Sequence, residues 1–151
     1  MTRNPLTIGA EASPRKASDL MRKEGIHHLP VVRGGGRLIG ILTDRDLRHA
    51  ALMPALAGRM PWDVQRLKAP RVRDVMTWVV VTTGPEATLV EAGLVMIERR
   101  IGSLPVVERD RLVGILTEHD LLKALRADTS TDSDAGSDAD GPALEAKECL
   151  P

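Results

Sequence analysis

The sequence predicts an α/β fold (α+β in some schemes) made of two β-α-β-β-α units that pack with pseudo-twofold symmetry. The first observation is a repeat, because GILTDRD at 40–46 recurs as GILTEHD at 114–120. A shift of 75 residues, reduced to 74 after a turn, aligns the two halves over most of their length. The second observation is that apolar residues in each half recur first at helical spacing and then in short strand-like runs.

Each unit begins with an extended segment and a helix. In the first unit Ser13 is placed to cap the helix, Pro14 suits its first position, and Gly25 ends it. In the second unit Thr88 and Glu91 form a capping-box pattern. The extended segments that precede these helices are expected around Leu6–Ile8 and Val79–Thr82.

A strand pair and a second helix complete each unit. LPVV then RLIGIL, and LPVV then RLVGIL, are typical of strands joined by tight turns. The second helices are expected from Asp44 to about Leu52 and from Glu118 to about Leu125, with apolar faces that serve a homodimer interface. Because a unit of about 50 residues buries too little surface alone, each is expected to cover the other's sheet, which creates paired clefts.

The chain is expected to divide into four segments: a first repeat at 1–52, a linker at 53–72, a second repeat at 73–127 and a tail at 128–151. Prolines and a glycine in the linker predict a loop with one short helix. The tail is rich in Ser, Asp and Gly and lacks periodicity, so it is expected to be disordered.

Composition and charge narrow the possible partners. Trp62 and Trp78 are the only aromatic residues, which counts against a protein that stacks nucleic-acid bases. Seven acidic residues and one lysine lie in 128–151, which leaves a net charge of +6 on the rest of the chain. This basic body suits an anionic partner such as phosphate, although ordinary solubility explains it equally well. The basic stretch at 66–73 lacks aromatic residues and is more typical of a solvated linker than of a nucleic-acid site.

Signals for targeting, metal binding and catalysis are weak. No apolar run approaches the ~18 residues of a membrane span, and the start lacks a signal-peptide core, so we expect a cytoplasmic protein with no membrane partner. Cys149 is the single cysteine. The four histidines show no metal-ligand spacing, and no nucleophile motif is present, so neither a metal site nor a catalytic residue is predicted.

Thr43 and Asp46, repeated as Thr117 and Asp120, carry the candidate chemistry. A hydroxyl at the N-cap and an acid three residues later form a capping box, which alone would explain both pairs. Alternatively, the helix N-terminus favours phosphate, the hydroxyl donates to it, and the carboxylate accepts from two vicinal ribose hydroxyls. Duplication of the pattern favours this second interpretation, a site for a nucleotide.

These motifs resemble the cystathionine-beta-synthase (CBS) domain family, and their tandem arrangement resembles a CBS pair, or Bateman module. The resemblance rests on the strand starts at 26–31 and 101–106, the G-h-h-T-x-x-D motifs at 40–46 and 114–120, and the segment Asp74–Thr77. It covers nearly all of residues 1–127. It implies a non-enzymatic regulatory module with clefts for AMP, ADP, ATP or S-adenosylmethionine, no required cofactor, and an effector protein that the sequence does not identify.

The resemblance also implies roles for individual residues. Asp46 and Asp120 would bind ribose hydroxyls, while Thr43 and Thr117 would reach phosphate or ribose. The residues expected around adenine are Thr7, Ile8, Ile26, Pro30, Thr82, Thr83, Ile101, Ser103 and Pro105. The residues expected near phosphate are His27, His28, Arg45 and His119.

The two units differ at the positions expected to contact phosphate. His27 and His28 precede the L-P-V strand of the first unit, where the second has Gly102 and Ser103 and no basic group. We therefore expect the unit with His27, His28 and Arg45 to suit a charged tail better, in a pH-dependent way, because histidine titrates near pH ~6.5. A partly exposed turn explains the two histidines equally well. A scaffold with degenerate clefts and, less favoured, a nucleic-acid binder are the alternative functions.

Overall fold

The computed structural model describes residues 1–57 and 70–129, with side chains described for 1–51 and 70–126. The second unit starts from a single bridge at Thr83 rather than from a strand, so the β-α-β-β-α order occurs twice and confirms the predicted fold class. The elements in chain order are β1 (Thr2–Arg3), β2 (Ile8–Gly9), α1 (Pro14–Glu24), β3 (His28–Arg33), a 3-10 turn (Gly34–Gly36), β4 (Arg37–Thr43), α2 (Asp44–Ala57), α3 (Val72–Val75), α4 (Leu89–Arg99), β5 (Ser103–Glu108), β6 (Arg111–Thr117) and α5 (Glu118–Thr129).

Both predicted helix starts are confirmed. The Lys16 amide donates to Ser13 Oγ at 3.2 Å, and Gly25 ends α1 in the left-handed conformation with φ 63°. At α4 the Thr88 amide donates to Glu91 Oε2 at 2.9 Å, and the Glu91 amide donates to Thr88 Oγ1 at 3.2 Å. The hydrogen bonds from the Thr88 backbone and side chain lower the pKa of Glu91.

The sheet is built from two equivalent halves. β2 pairs in parallel with β3, and β3 pairs antiparallel with β4. In the second unit Thr83 forms a parallel bridge with Val106 on β5, and β5 pairs antiparallel with β6. Both hairpins have a register shift at the same place, after Val31 and after Val106. The halves join where Arg37 of β4 lies opposite Arg111 of β6.

The M-T segments, Met1–Thr2 and Met76–Thr77, each lie on the sheet of the opposite unit. β1 pairs antiparallel with β6, and the backbones of Ile41 and Thr77 exchange hydrogen bonds of 3.0 and 2.9 Å. Gly40 permits this approach, because a Cβ there would lie 2.5 Å from Met76 Sδ and 3.0 Å from the Thr77 carbonyl oxygen. Contact with the opposite unit thus explains the glycine of the G-h-h-T-x-x-D motif.

The apolar core has one cluster in each unit. The first joins α1, β3 and β4 to α3, through Ala17, Met21, Leu29, Val31, Leu42, Val72 and Met76. The second lies between α4 and the β5–β6 hairpin, through Ala92, Met96, Leu104 and Leu116. Since α3 follows the first unit in the chain but packs into its core, this packing fixes the start of the second unit against the first.

Helices extend into the predicted linker from both ends. α2 continues to Ala57 instead of ending near Leu52, because the strong helix formers on either side of Pro54 outweigh that single proline. Val72 already belongs to α3. The remaining predicted loop, apart from residues 70 and 71, lies outside the described residues.

The predicted limits of the last helix and of the first strands also shift. α5 runs to Thr129, four residues past the predicted end, so the first two residues of the predicted tail are helical. The rest of the tail, with Cys149, lies outside the described residues. The first strand of the sheet in each unit falls slightly later than expected, at Ile8–Gly9 and at the Thr83 bridge.

Exposed apolar side chains concentrate on the helices of the second unit. Val90, Leu94 and Ile97 share one face of α4 and are 73%, 55% and 75% exposed, and Leu122 on α5 is 64% exposed. The corresponding helix α1 exposes charged residues: Arg15, Lys16, Asp19, Arg22 and Lys23. No helix within the described ranges combines the length and apolarity needed to cross a membrane.

On the helix at 44–52, where an apolar face was predicted, Leu47 is half-buried. No large apolar side chain is exposed on α2 up to Ala51, because Leu47 packs against the first core cluster. α5 does expose such a face, and α4, for which none was predicted, exposes a larger one.

Candidate functional site

Two clefts lie between the units, and each joins a T-x-x-D helix start of one unit to the strand start of the other. The first cleft has a volume of about 510 Å³ and is lined by Ile26, His27 and His28 on one side and Thr117, His119, Asp120 and Lys123 on the other. The second cleft has a volume of about 440 Å³ and is lined by Thr43, Asp44, Arg45 and Arg48 on one side and Arg100, Ile101, Gly102 and Ser103 on the other.

Both T-x-x-D motifs form complete capping boxes. The Thr43 amide and hydroxyl donate to Asp46 Oδ2 at 2.8 and 2.7 Å, and the Asp46 amide donates to Thr43 Oγ1 at 3.2 Å. The same three bonds between Thr117 and Asp120 measure 2.9, 2.8 and 3.3 Å. The capping interpretation is thus confirmed. In both motifs Oδ1 of the aspartate takes no part in the cap, so capping leaves an acceptor for a further hydroxyl.

Asp120 lines the first cleft, and its surroundings lower the pKa of its carboxyl group. Partial burial raises its pKa, but the hydrogen bonds from Thr117, together with the charges of the N-terminal ammonium and Lys123, outweigh burial and hold the pKa below its usual value. Oδ1 of Asp120 lies 3.8 Å from the Met1 ammonium. An ionised carboxylate in the cleft lining is an acceptor-only group, which suits paired hydroxyl donors.

His28 stands between the two clefts and lines both of them. Burial of the ring lowers its pKa, and the nearby charge of His27 acts in the same direction. Asp44, Glu118 and Asp46 oppose this shift, but burial outweighs them. The ring therefore favours its neutral form more strongly than an exposed histidine does.

The structure separates the predicted phosphate-binding group. His27 lies with His119 in the first cleft, whereas Arg45 lies in the second cleft with residues 101–103. Of the three residues predicted to act together, His28 and Arg45 line the second cleft, whereas His27 and His28 line the first.

Gly102 and Ser103 stand where the first unit has His27 and His28, but they line a site that contains basic groups from other positions. That site is the second cleft, and Arg45, Arg48 and Arg100 all line it. Two of these arginines come from the opposite unit, on helix α2, so the comparison of strand starts alone missed them.

The residues expected around adenine divide into two groups. Ile26, Ile101 and Ser103 line a cleft. Ile8, Pro30 and Pro105 are buried in the core and line neither cleft. Thr7 and Thr83 line neither cleft, and Thr82 lines a separate shallow groove with Trp78 and Arg37. Asp46 is absent from the cleft lining, but Thr43, which donates to it, lines the second cleft.

Sequence reasoning missed Arg48, Arg100 and Lys123. Arg48 lies one helical turn after Asp44, and Lys123 lies one turn after Asp120, so helical spacing from the motif would have found them. Arg100 aligns with Gly25 at the repeat offset of 75 residues, where both end a helix with φ values of 52° and 63°. An arginine at a position that favours glycine was the available signal.

Two further predictions concern the histidines and the basic stretch at 66–73. Within the described ranges, no three His, Cys, Asp or Glu side chains lie close enough together to hold a metal ion. In the described part of the basic stretch, Arg71 and Arg73 both form ion pairs with Glu11.

Comparison with known proteins agrees with this geometry. The sequence profile of the family described as "CBS domain" matches residues 1–52 and 72–127. A CBS domain-containing protein of Dictyostelium discoideum is 35% identical over 126 residues, which is 83% of this chain and 87% of that protein.

Two solved structures share the fold. A Vibrio cholerae protein named for acetoin utilization (AcuB) is 31% identical with a TM-score of 0.76, over 89% of this chain and 93% of that one. The CBS domain pair of protein MJ0100, solved in complex with 5'-methylthioadenosine and S-adenosyl-L-methionine, is 25% identical with a TM-score of 0.69, over 82% and 93%. The chain therefore belongs to the CBS domain family, and its two repeats form a CBS pair.

Proposed function

We propose that this chain is a regulatory module that binds an adenosine-containing ligand between its two repeats and passes that signal to a partner protein. The ligand is AMP, ADP, ATP or S-adenosylmethionine, and the module catalyses no reaction. The observation that carries the proposal is the doubled helix start, in which a capped aspartate keeps Oδ1 outside the cap beside a cleft between the units.

The chemistry of both clefts suits such a ligand. Their volumes of about 440 and 510 Å³ fall in the range typical of small-molecule sites. The first has Asp120 for hydroxyl groups, and the second has Thr43, which is bonded to the equivalent Asp46. Each also has apolar side chains such as Ile26 or Ile101 for a base, and cationic groups for phosphate. The similarity to MJ0100, solved with two adenosine compounds, supports the same ligand class here.

A signal would arise because each cleft is made by both units. A ligand that contacts a helix start of one unit and a strand start of the other favours one relative orientation over others. The population shift is limited by the ligand's difference in affinity between the orientations. The two sites share one lining residue, His28.

We also propose a homodimer that uses the exposed apolar face of the second unit. Val90, Leu94 and Ile97 on α4, with Leu122 on α5, form a surface that a second copy of the chain would cover by its own equivalent face. Leu94→Lys would shift the sedimentation coefficient from dimer to monomer, and a monomeric unsubstituted chain would contradict this assignment.

Calorimetric titration with adenosine, AMP, ATP and S-adenosylmethionine tests the ligand proposal. We expect at least one to bind, and Asp46→Asn with Asp120→Asn to weaken that binding about tenfold, as expected when charge-assisted hydrogen bonds are lost. Glu91→Gln is the matched control, because it weakens the same kind of cap on α4, outside both clefts. If the folded protein binds none of the four compounds at millimolar concentration, the proposal is wrong.

A further inference from the structure

Arg100 occupies a position where the first unit has glycine. Gly25 and Arg100 both end a helix in the left-handed region, with φ 63° and 52°. Residues with a Cβ rarely adopt this conformation, and such strain is often kept where a side chain has a function. Gly25 lines the first cleft and Arg100 lines the second, so the substitution adds a cation to only one of the two sites.

Arg45 adds a second cation to the same cleft. It replaces the His119 of the first cleft at the equivalent position of the helix start. Among the described residues, neither Arg45 nor Arg100 has a carboxylate oxygen within ion-pair distance, whereas Arg48 is held by Asp44 Oδ2 at 3.0 Å. Two guanidinium groups thus line the second cleft with their charges unpaired within the described part of the chain.

The first cleft has a different set of basic groups. Lys123 is its one lysine or arginine, and the others are the imidazoles of His27, His28 and His119. Burial makes His28 less basic than an exposed histidine, and Asp120 adds a negative charge to this cleft. The second cleft also has two acidic residues in its lining, Asp44 and Glu118, but it holds three guanidinium groups where the first cleft holds one ammonium group.

We propose that the second cleft selects a ligand with a diphosphate or triphosphate chain, held by Arg45 and Arg100, and that the first cleft lacks this preference. Guanidinium groups bind phosphate through paired, charge-assisted hydrogen bonds, which imidazole and ammonium groups do not reproduce. This assignment rests on the proposed adenosine-ligand function and adds to it which cleft takes the polyphosphate.

Calorimetric titration of the full chain with adenosine, AMP, ADP and ATP tests the assignment. We expect ATP and ADP to bind more tightly than AMP, and Arg100→Gly to weaken ATP binding about tenfold while adenosine binding stays unchanged. Arg100→Gly should not lower Tm, because glycine suits a φ of 52°. Arg45→Gln, on the exposed surface at the start of α2, should weaken ATP binding in the same way.

Arg109→Gly is the matched control. Arg109 is also an exposed arginine with positive φ, 48°, but it lies in the β5–β6 turn and lines neither cleft. Equal ATP affinities for Arg100→Gly and Arg109→Gly, or no gain in affinity from AMP to ATP, would overturn the assignment. Failure of adenosine and all its phosphates to bind would instead count against the ligand proposal itself.

Discussion

The two clefts share a frame but differ in charge. Both are built from a capped T-x-x-D helix start facing the strand start of the opposite unit, with cap distances that agree within 0.1 Å. Around this frame the second cleft has three arginines with Asp44 and Glu118, while the first has three histidines and Lys123 with Asp120. The repeat thus preserves the groups that cap the helix and varies those that would set the ligand's charge.

Among the proposed substitutions, we expect those that disturb the contacts of the M-T segments to lower stability most. Gly40→Ala places a Cβ 2.5 Å from Met76 Sδ and 3.0 Å from the backbone oxygen of Thr77. Since backbone cannot yield as a side chain does, we expect a loss of about 1–3 kcal/mol in the free energy of unfolding. Gly114→Ala should cost less, because its nearest contacts are 3.0 Å to Met1 Sδ and 3.2 Å to the Thr2 oxygen. Urea unfolding measures both, and a larger loss at Gly114 would contradict the geometry.

Removing the capping hydroxyls tests the shared frame. Thr43→Val and Thr117→Val should each lower unfolding free energy by about 1 kcal/mol, the usual effect of losing an N-cap. Thr117→Val should also reduce acid sensitivity. Because the folded pKa of Asp120 is lowered, its stabilisation is present above the unfolded pKa of about 3.9 and is lost as pH falls through the folded pKa. Thermal unfolding between pH 5 and 2 measures this, and unchanged acid sensitivity in Thr117→Val would argue against that bond.

His28, which lines both clefts, should make the stability of the fold depend on pH in a higher range than Asp120 does. Its folded pKa is lowered, so below an unfolded pKa of about 6.5 the unfolded chain binds the proton more readily than the folded one. Stability should therefore fall as pH drops from about 7 to 5, and His28→Gln should lose part of that dependence. The control is His49→Gln, at an exposed position of α2. Identical pH profiles for the two variants would count against a buried neutral His28.

The smallest expected effect is a change in the fluorescence of Trp78 when a ligand enters the second cleft. It is 59% exposed, its Nε1 donates to the Arg73 carbonyl at 3.1 Å, and its neighbours Thr77 and Val79 line that cleft. In a Trp62→Phe background Trp78 is the only tryptophan. We expect a modest change in its emission on adding ATP, with a midpoint matching calorimetry. The change should shift to higher ATP in Arg100→Gly, and an unshifted midpoint would break the link to that cleft.

Local chemistry made much of the fold predictable. Ser13, Gly25, Thr88 and Glu91 act through contacts within a few residues, so the sequence predicted both helix starts correctly. The end of α2 was not predictable from Pro54, because a helix end depends on competition between one breaker and its neighbours. The burial of Ile8 also depended on packing that its local pattern does not reveal.

The candidate site was predictable in part for the same reason. Thr43 and Asp46 bond to each other across one turn, and the motif alone indicated this. The placement of Arg45 and Arg100 in one cleft required the tertiary structure, because the two residues come from different units.

By itself, the sequence determined the repeat, the helix caps and the groups available to a ligand, since these depend on short-range geometry. Only the tertiary structure decided which of those groups meet. Each M-T segment pairs with a strand of the other unit, and each cleft is lined by a helix start of one unit and the strand start of the other. The second cleft thus brings Arg45 of one unit together with Arg100 of the other, whereas His27 lines the first cleft.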